Sequence, residues 1–149
     1  HELTHLRILL ECEGACLSIR QGGIDWESRL TAAHYKLSHI EKRVRRSADH
    51  MPLFILWAKA EQAFHETLIS DCGSDVLKAT HAMIYQRFRQ QVFNSDKKFV
   101  FVVENIEQHQ GILDAALMRD EALIRSRIYS HLERNLVFDM PPELPKLPY

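Results

Sequence analysis

Only one segment of this chain, residues 99–105 (FVFVVEN), has the composition of a β-strand. A single strand has no partner for its backbone hydrogen bonds, so it cannot form a sheet. We therefore interpret this segment as an extended or helical lead-in to the helix that follows it. The sequence predicts an all-α protein.

Short polar breaks divide the chain into six segments whose apolar residues have helical spacing. We predict helices at about residues 2–19, 26–47, 52–70, 75–92, 106–118 and 121–136, packed as an antiparallel bundle. Four residues with side chains that accept hydrogen bonds from a first helical turn are predicted as N-caps: Asp25, Ser74, Asn105 and Asp120. On the first helix we expect six residues to face the core: Leu3, Leu6, Leu9, Leu10, Cys16 and Leu17.

Composition excludes several classes of protein. The 149 residues suit one domain, the net charge of −1 gives no general attraction to nucleic acid, and no apolar run has the ~20 residues of a membrane helix. Three cysteines are too few for a disulfide framework and indicate a reduced, cytoplasmic protein. We assign residues 1–136 to the domain and the proline-rich residues 137–149 to a surface tail. The missing start methionine suggests one domain of a longer chain.

Glu61 and His65 are one helical turn apart, on a face that they share with Phe64 and Leu68. A carboxylate and an imidazole are costly to bury without a partner. His109 and His131 also occupy apolar faces of predicted helices. Three imidazoles and one carboxylate suit a divalent transition metal, zinc with nickel or manganese as alternatives. The other interpretation is that these histidines are hydrogen-bonded core residues.

A second histidine pattern, His1-Glu2-Leu3-Thr4-His5, matches the His-Glu-x-x-His of zinc proteases. It begins at the first residue, where a helix frays, and such a short pattern arises by chance in a chain with nine histidines. We do not interpret it as a catalytic site.

Several motifs together resemble the C-terminal effector-binding (FCD) domain of GntR-family transcription regulators, in the FadR-like branch. They run in the family's order and spacing over almost the whole chain: Arg7-Ile8-Leu9-Leu10-Glu11, Glu61-Gln62-Ala63-Phe64-His65, Cys72-Gly73-Ser74, the helix from His109 through Ala116, Arg119-Asp120 and His131-Leu132. Two positions depart from the usual pattern. Glu61 replaces an aspartate that is one methylene shorter, and Ser74 replaces an asparagine.

The resemblance implies a ligand sensor with a metal held by Glu61, His65, His109 and His131. It implies that Arg7 faces the ligand cavity, where a guanidinium can bind a carboxylate with two hydrogen bonds. The alternative for Arg7 is a salt bridge to Glu11. His81 and Arg87 are further candidate ligand-binding residues, although for Arg87 the favoured interpretation is a position that faces solvent.

By the same resemblance, a small carboxylate or dicarboxylate effector would act on a homodimer. An N-terminal winged helix-turn-helix, absent from this chain, would bind the DNA. Two alternatives remain: a metal-dependent hydrolase or lyase that uses the same histidines, and a structural metal that only joins helices.

Overall fold

A computed structural model describes residues 2–46, 51–93 and 98–138, with side chains at 2–44, 46, 52–90 and 105–133. Within these ranges the chain has six α-helices and no strand, which confirms the predicted all-α fold. The helices are α1 (Glu2–Gln21), α2 (Ile24–Arg46), α3 (Met51–Leu68), α4 (Asp75–Phe93), α5 (Lys98–Leu117) and α6 (Glu121–Phe138). None of the helices described combines the length and apolar composition needed to cross a membrane.

The helices alternate in direction, so that α1, α3 and α5 run one way and α2, α4 and α6 the other. Arg20, near the end of α1, pairs with Glu121 at the start of α6 at 2.6 Å. Arg29, near the start of α2, pairs at 2.7 Å with Asp71, which follows the end of α3. These contacts confirm the antiparallel bundle.

Five of the helices form a closed ring in the order α1, α6, α5, α2, α3, and α4 packs across α1 and α3. The core contains aromatic and branched side chains from every side of this ring, including Trp26, Leu37, Phe64, Ile112 and Ile128. Each ring helix also turns at least one ionisable side chain into the interior, so the centre of the bundle is partly polar.

Two predicted N-caps are confirmed. The backbone N–H of Leu77 donates to Ser74 Oγ at 3.1 Å, and that of Leu123 donates to Asp120 Oδ1 at 3.0 Å. Asp25 was predicted as a cap but lies in the first turn of α2, because the helical hydrogen bonds already begin at the Gly23 carbonyl.

The prediction that α5 begins after an Asn105 cap is wrong. The helix begins at Lys98 and includes the β-like residues 99–105. A helix satisfies its backbone hydrogen bonds within the segment, which removes the need for a partner strand. Asn105 is consequently a buried interior residue of α5.

The predicted buried face of α1 is also wrong. Leu6 is 38% exposed and Leu9 is 67% exposed, and of the predicted residues only Cys16 is fully buried. The buried positions instead include four polar or charged residues: Thr4, Arg7, Glu11 and Ser18. Because α1 packs against α3, α4 and α6, its polar residues find partners inside the bundle, and apolar spacing alone misplaced the face.

On α2, Leu30, Leu37 and Val44 are buried, and the charged residues Arg29, Lys36, Lys42, Arg43 and Arg46 are exposed. The polar break between the fourth and fifth predicted helices lies outside the described residues at 94–97, and so does the predicted tail from residue 139 onward. Residues 137–138 belong to α6.

Two glycines inside helices give a matched test of this packing. A Cβ at Gly14 would lie 2.7 Å from Ile69 Cγ2, whereas a Cβ at Gly111 would meet only the flexible Arg127 side chain, at 3.5 Å. We predict that G14A lowers the free energy of unfolding by about 1–3 kcal/mol through overpacking. G111A should raise it by about 0.5–1 kcal/mol through helix propensity. Urea unfolding followed by circular dichroism measures both, and a stabilised G14A would contradict the close approach of α1 to Ile69.

Candidate metal centre

Four buried side chains from three helices converge inside the ring: Glu61 and His65 on α3, His109 on α5 and His131 on α6. Their candidate ligand atoms all lie within 4.8 Å of one another. We call these four residues the metal cluster. One cation placed among them would have three imidazole nitrogens and a carboxylate oxygen within reach, the donor set that suits divalent transition metals.

A second layer of side chains orients the three imidazoles. Nδ1 of His65 lies 2.9 Å from Glu11 Oε2, and Nδ1 of His109 lies 3.1 Å from Glu41 Oε1. Nδ1 of His131 lies 2.9 Å from the amide oxygen of Gln108. An amide oxygen or an ionised carboxylate only accepts hydrogen bonds, so each Nδ1 carries the proton and donates. The lone pair of each neutral ring is then on Nε2, as a metal ligand requires.

The unpaired atoms fit a metal. In the described part of the chain, His65 Nε2 and His109 Nε2 are buried and have no hydrogen-bond partner. His65 Nε2 lies 3.0 Å from Glu61 Oε1, but the two are not aligned for a hydrogen bond. Buried polar atoms are normally satisfied, and one shared cation could satisfy these two atoms, which lie within 4.8 Å of the other candidate ligand atoms.

Glu11 links three helices at the edge of the metal cluster. Its carboxylate accepts from Arg7 Nε at 2.8 Å and lies 2.9 Å from both His65 Nδ1 and His81 Nε2. Burial alone would raise the pKa of Glu11. The charges of Arg7 and His65, with hydrogen bonds from His65 and His81, hold that pKa well below its usual range.

Arg7 is fixed on three sides. Its guanidinium carbon stacks 4.6 Å from the centre of the Tyr85 ring and 4.7 Å from that of Phe88, while its Nε donates to Glu11. Nη2 lies 3.6 Å from Glu61 Oε1, beyond hydrogen-bond distance, and has no hydrogen-bond partner. The salt bridge from Arg7 to Glu11, which was the alternative interpretation of Arg7, is therefore present. Nη2 of the same guanidinium lies near Glu61 of the metal cluster.

Charge balance inside the ring depends on these pairs. Burial would lower the pKa of His65, but Glu11 and Glu61 raise it to about 9. Burial would likewise raise the pKa of Glu61, but the charge of His65, with that of Arg7, lowers it to about 2. The two carboxylates thus favour a positive charge between them, and a bound cation would supply it in place of the imidazole proton.

The remaining predicted site residues lie apart from one another. His81 is buried on α4 with its Nε2 on Glu11, whereas Arg87 is exposed on the same helix. Their roles as ligand-binding residues stay predictions. Of the protease-like pattern, Glu2 and His5 are exposed at the start of α1, and His1 is outside the described residues.

Sequence reasoning missed the residues that orient the histidines, above all Glu41. This carboxylate is fully buried on α2, between the buried positions Leu37 and Val44. A charged residue within an apolar stripe is the same pattern that identified Glu61 and His65, so Glu41 could have been found. Gln108 left no such pattern, because it adjoins His109 in sequence and its amide reaches His131 on the next helix.

Comparison with known proteins places these features in a family. The family model described as the FCD domain matches residues 2–134. BphR of Paraburkholderia xenovorans (strain LB400), an uncharacterized HTH-type transcriptional regulator, is 30% identical over 139 residues, which are 91% of this chain and 54% of that protein. The HTH-type transcriptional repressor GlaR of Escherichia coli (strain K12) is 28% identical over 137 residues, 88% of this chain and 60% of that protein. The chain thus spans between half and two thirds of these relatives. No solved structure matches significantly.

Glu11 and Glu13 give a matched test of the buried network, since both lie on α1 and both pair with an arginine. We predict that Glu11→Ala lowers the free energy of unfolding by about 3–5 kcal/mol, because it leaves Arg7 buried without its main counter-charge. Glu13 pairs with Arg125 at 2.9 Å with both side chains about half exposed, so Glu13→Ala should cost less than about 1 kcal/mol. Equal effects in urea unfolding would contradict the role of Glu11.

Proposed function

The chain belongs to the FCD domain family of GntR-type transcription regulators, and on that premise we propose that it senses a small organic acid at a metal held by Glu61, His65, His109 and His131. The family supports a ligand-sensing role in transcription regulation. The metal and the chemical class of the effector are the finer parts of the proposal.

One observation carries the proposal. Three buried atoms without hydrogen-bond partners, His65 Nε2, His109 Nε2 and Arg7 Nη2, adjoin Glu61 or lie within the metal cluster. The two histidine nitrogens suit a cation, and the Arg7 nitrogen suits an anion bound beside that cation. Zinc, with nickel or manganese as alternatives, would supply a positive charge that holds one carboxylate oxygen of the effector. Arg7 would bind the other oxygen and set the orientation of the acid.

We further propose that the effector acts through a homodimer on a winged helix-turn-helix domain outside this chain. Both relatives are named HTH-type regulators, and the chain spans only part of each. Leu6 and Leu9 on α1 are large apolar side chains left exposed by a single copy, which a second copy would cover. All three cysteines are unpaired and buried, which agrees with the proposed location in the cytoplasm.

The alternative functions are a metal-dependent hydrolase or lyase and a purely structural metal. The regulator names of both relatives favour a sensor over an enzyme. Arg7 Nη2 favours a sensor over a structural metal, because a site that only joins helices does not need a buried guanidinium N–H without a hydrogen-bond acceptor beside it.

We predict that the purified protein binds one divalent cation and that His109→Ala weakens its affinity at least about 100-fold, because a direct ligand is lost. His39→Ala is the control, since His39 is an exposed histidine on α2 that packs beside Tyr35. Calorimetric titration with zinc, nickel and manganese, together with elemental analysis, gives the affinity and the stoichiometry. If wild type and H109A bind metal equally, the cluster is a polar core and the proposal fails.

We also predict that a short carboxylate raises the melting temperature of the metal-loaded protein and that the protein leaves the acid chemically unchanged. At a hundredfold excess over its Kd, a ligand adds about 2.7 kcal/mol to the free energy of unfolding. Differential scanning fluorimetry measures the shift, and chromatography of the recovered acid detects any turnover. Consumption of the acid would indicate an enzyme, and no shift with any acid would indicate a structural metal.

A further inference from the structure

Four more buried polar atoms in the described part of the chain have no hydrogen-bond partner. One of them, His81 Nδ1, belongs to a residue that contacts Glu11. The other three are Glu41 Oε2, Trp57 Nε1 and Asn105 Oδ1. Their residues are 0%, 6% and 3% exposed, so water at the protein surface does not satisfy them. None of the three is a member of the metal cluster. Two are acceptors and one is a donor, so a polar group that both donates and accepts hydrogen bonds could satisfy them.

Trp57 and Asn105 occupy equivalent positions on two helices that run in the same direction. Trp57 precedes Glu61 by one turn on α3, and Asn105 precedes His109 by one turn on α5. Side chains four residues apart share a helix face, about 6 Å along the axis from each other. Both residues therefore lie on the same side of the metal cluster, about one helical turn from it.

Glu41 reaches the same level from α2. Its Oε1 accepts from His109 Nδ1 at 3.1 Å, which leaves Oε2 as the unpaired atom. Helix α2 runs antiparallel to α3, and the contact between the His34 and Phe64 rings fixes their register. By that register, Glu41 on α2 lies opposite Trp57 on α3. We call Glu41, Trp57 and Asn105 the distal subsite.

The chemistry of the distal subsite selects among ligand groups. A hydroxyl donates one hydrogen bond and accepts others, so it can donate to Glu41 Oε2 and accept from Trp57 Nε1. A second carboxylate would place its acceptor oxygens against the acceptors Glu41 Oε2 and Asn105 Oδ1, and its negative charge beside that of Glu41. An ammonium group would leave the Trp57 N–H unpaired, and a methyl group would leave all three atoms unpaired.

Resting on the proposed function, we propose that the effector is a hydroxycarboxylate. Its carboxylate binds Arg7 at the metal cluster, and its hydroxyl, about one helical turn away, donates to Glu41 and accepts from Trp57. Asn105 Oδ1 offers a second acceptor at the same level. The distal subsite therefore determines which acids the sensor distinguishes, while the metal cluster holds the group that all of them share.

The test compares acids that differ only in the distal group. Butyrate, succinate and the 2-, 3- and 4-hydroxybutyrates are titrated calorimetrically into the metal-loaded protein. We expect 4-hydroxybutyrate, whose hydroxyl can lie about one helical turn from its carboxylate, to bind at least about tenfold more tightly than butyrate and succinate, since it gains hydrogen bonds that include one to a charged group. Trp57→Phe removes the donor and keeps an aromatic ring, and it should reduce that preference to less than about threefold while metal content stays the same.

Trp26→Phe is the matched control. The Trp26 N–H donates to the Thr67 carbonyl at 3.0 Å, so its loss affects the packing of α2 on α3 and should keep the preference for the hydroxy acid. Equal affinity for butyrate, succinate and every hydroxybutyrate in the wild type would overturn the distal subsite and leave the sensor standing, even if Trp57→Phe does not fold. A preference that persists in Trp57→Phe would overturn the role of Trp57. Failure of every acid to bind the metal-loaded protein would overturn the proposed function itself.

Discussion

The interior of this bundle depends on the Glu11 carboxylate, which is fully buried and contacts side chains from three helices. Arg7 approaches it from the same helix, His65 from α3 and His81 from α4. A buried carboxylate is tolerated only when its lone pairs are satisfied and its charge is compensated. The positions of α1, α3 and α4 are thereby tied to one group, and the orientation of His65 follows from it.

The same principle extends around the ring. Glu41 on α2 holds His109 of α5, and Gln108 of α5 holds His131 of α6, so every helix of the ring contributes to the metal cluster or to its orientation. Acceptors at Nδ1 fix both the tautomer and the rotation of an imidazole. Buried polar groups of this kind are weak evidence for stability, since well-packed apolar residues would serve as well. Their value here is that they specify one arrangement of helices around one point.

Much of this architecture was predictable from the sequence. The metal cluster was found because an imidazole or a carboxylate on an apolar helix face is conspicuous, and two of the four predicted caps have the contact that was expected. The errors have a common cause. The start of α5 and the buried face of α1 were assigned from apolar composition, whereas tertiary partners decide which way a polar residue such as Glu11 faces. The pairing of Gln108 with His131 depends on the rotation of one helix against another, which periodicity does not encode.

The weakest junction of the ring is where a ligand would act. Helices α1 and α3 pack against each other least extensively of the ring neighbours, and charged contacts of Arg7, Glu11, Glu61 and His65 join them. On the proposed function, a carboxylate bound to Arg7 Nη2 would compete with Glu61 for that guanidinium and change the attraction between the two helices. An effector shifts an equilibrium only by its difference in affinity for two arrangements. A junction held by a few charges, rather than by extensive apolar packing, is the place in this fold where one small anion can make that difference.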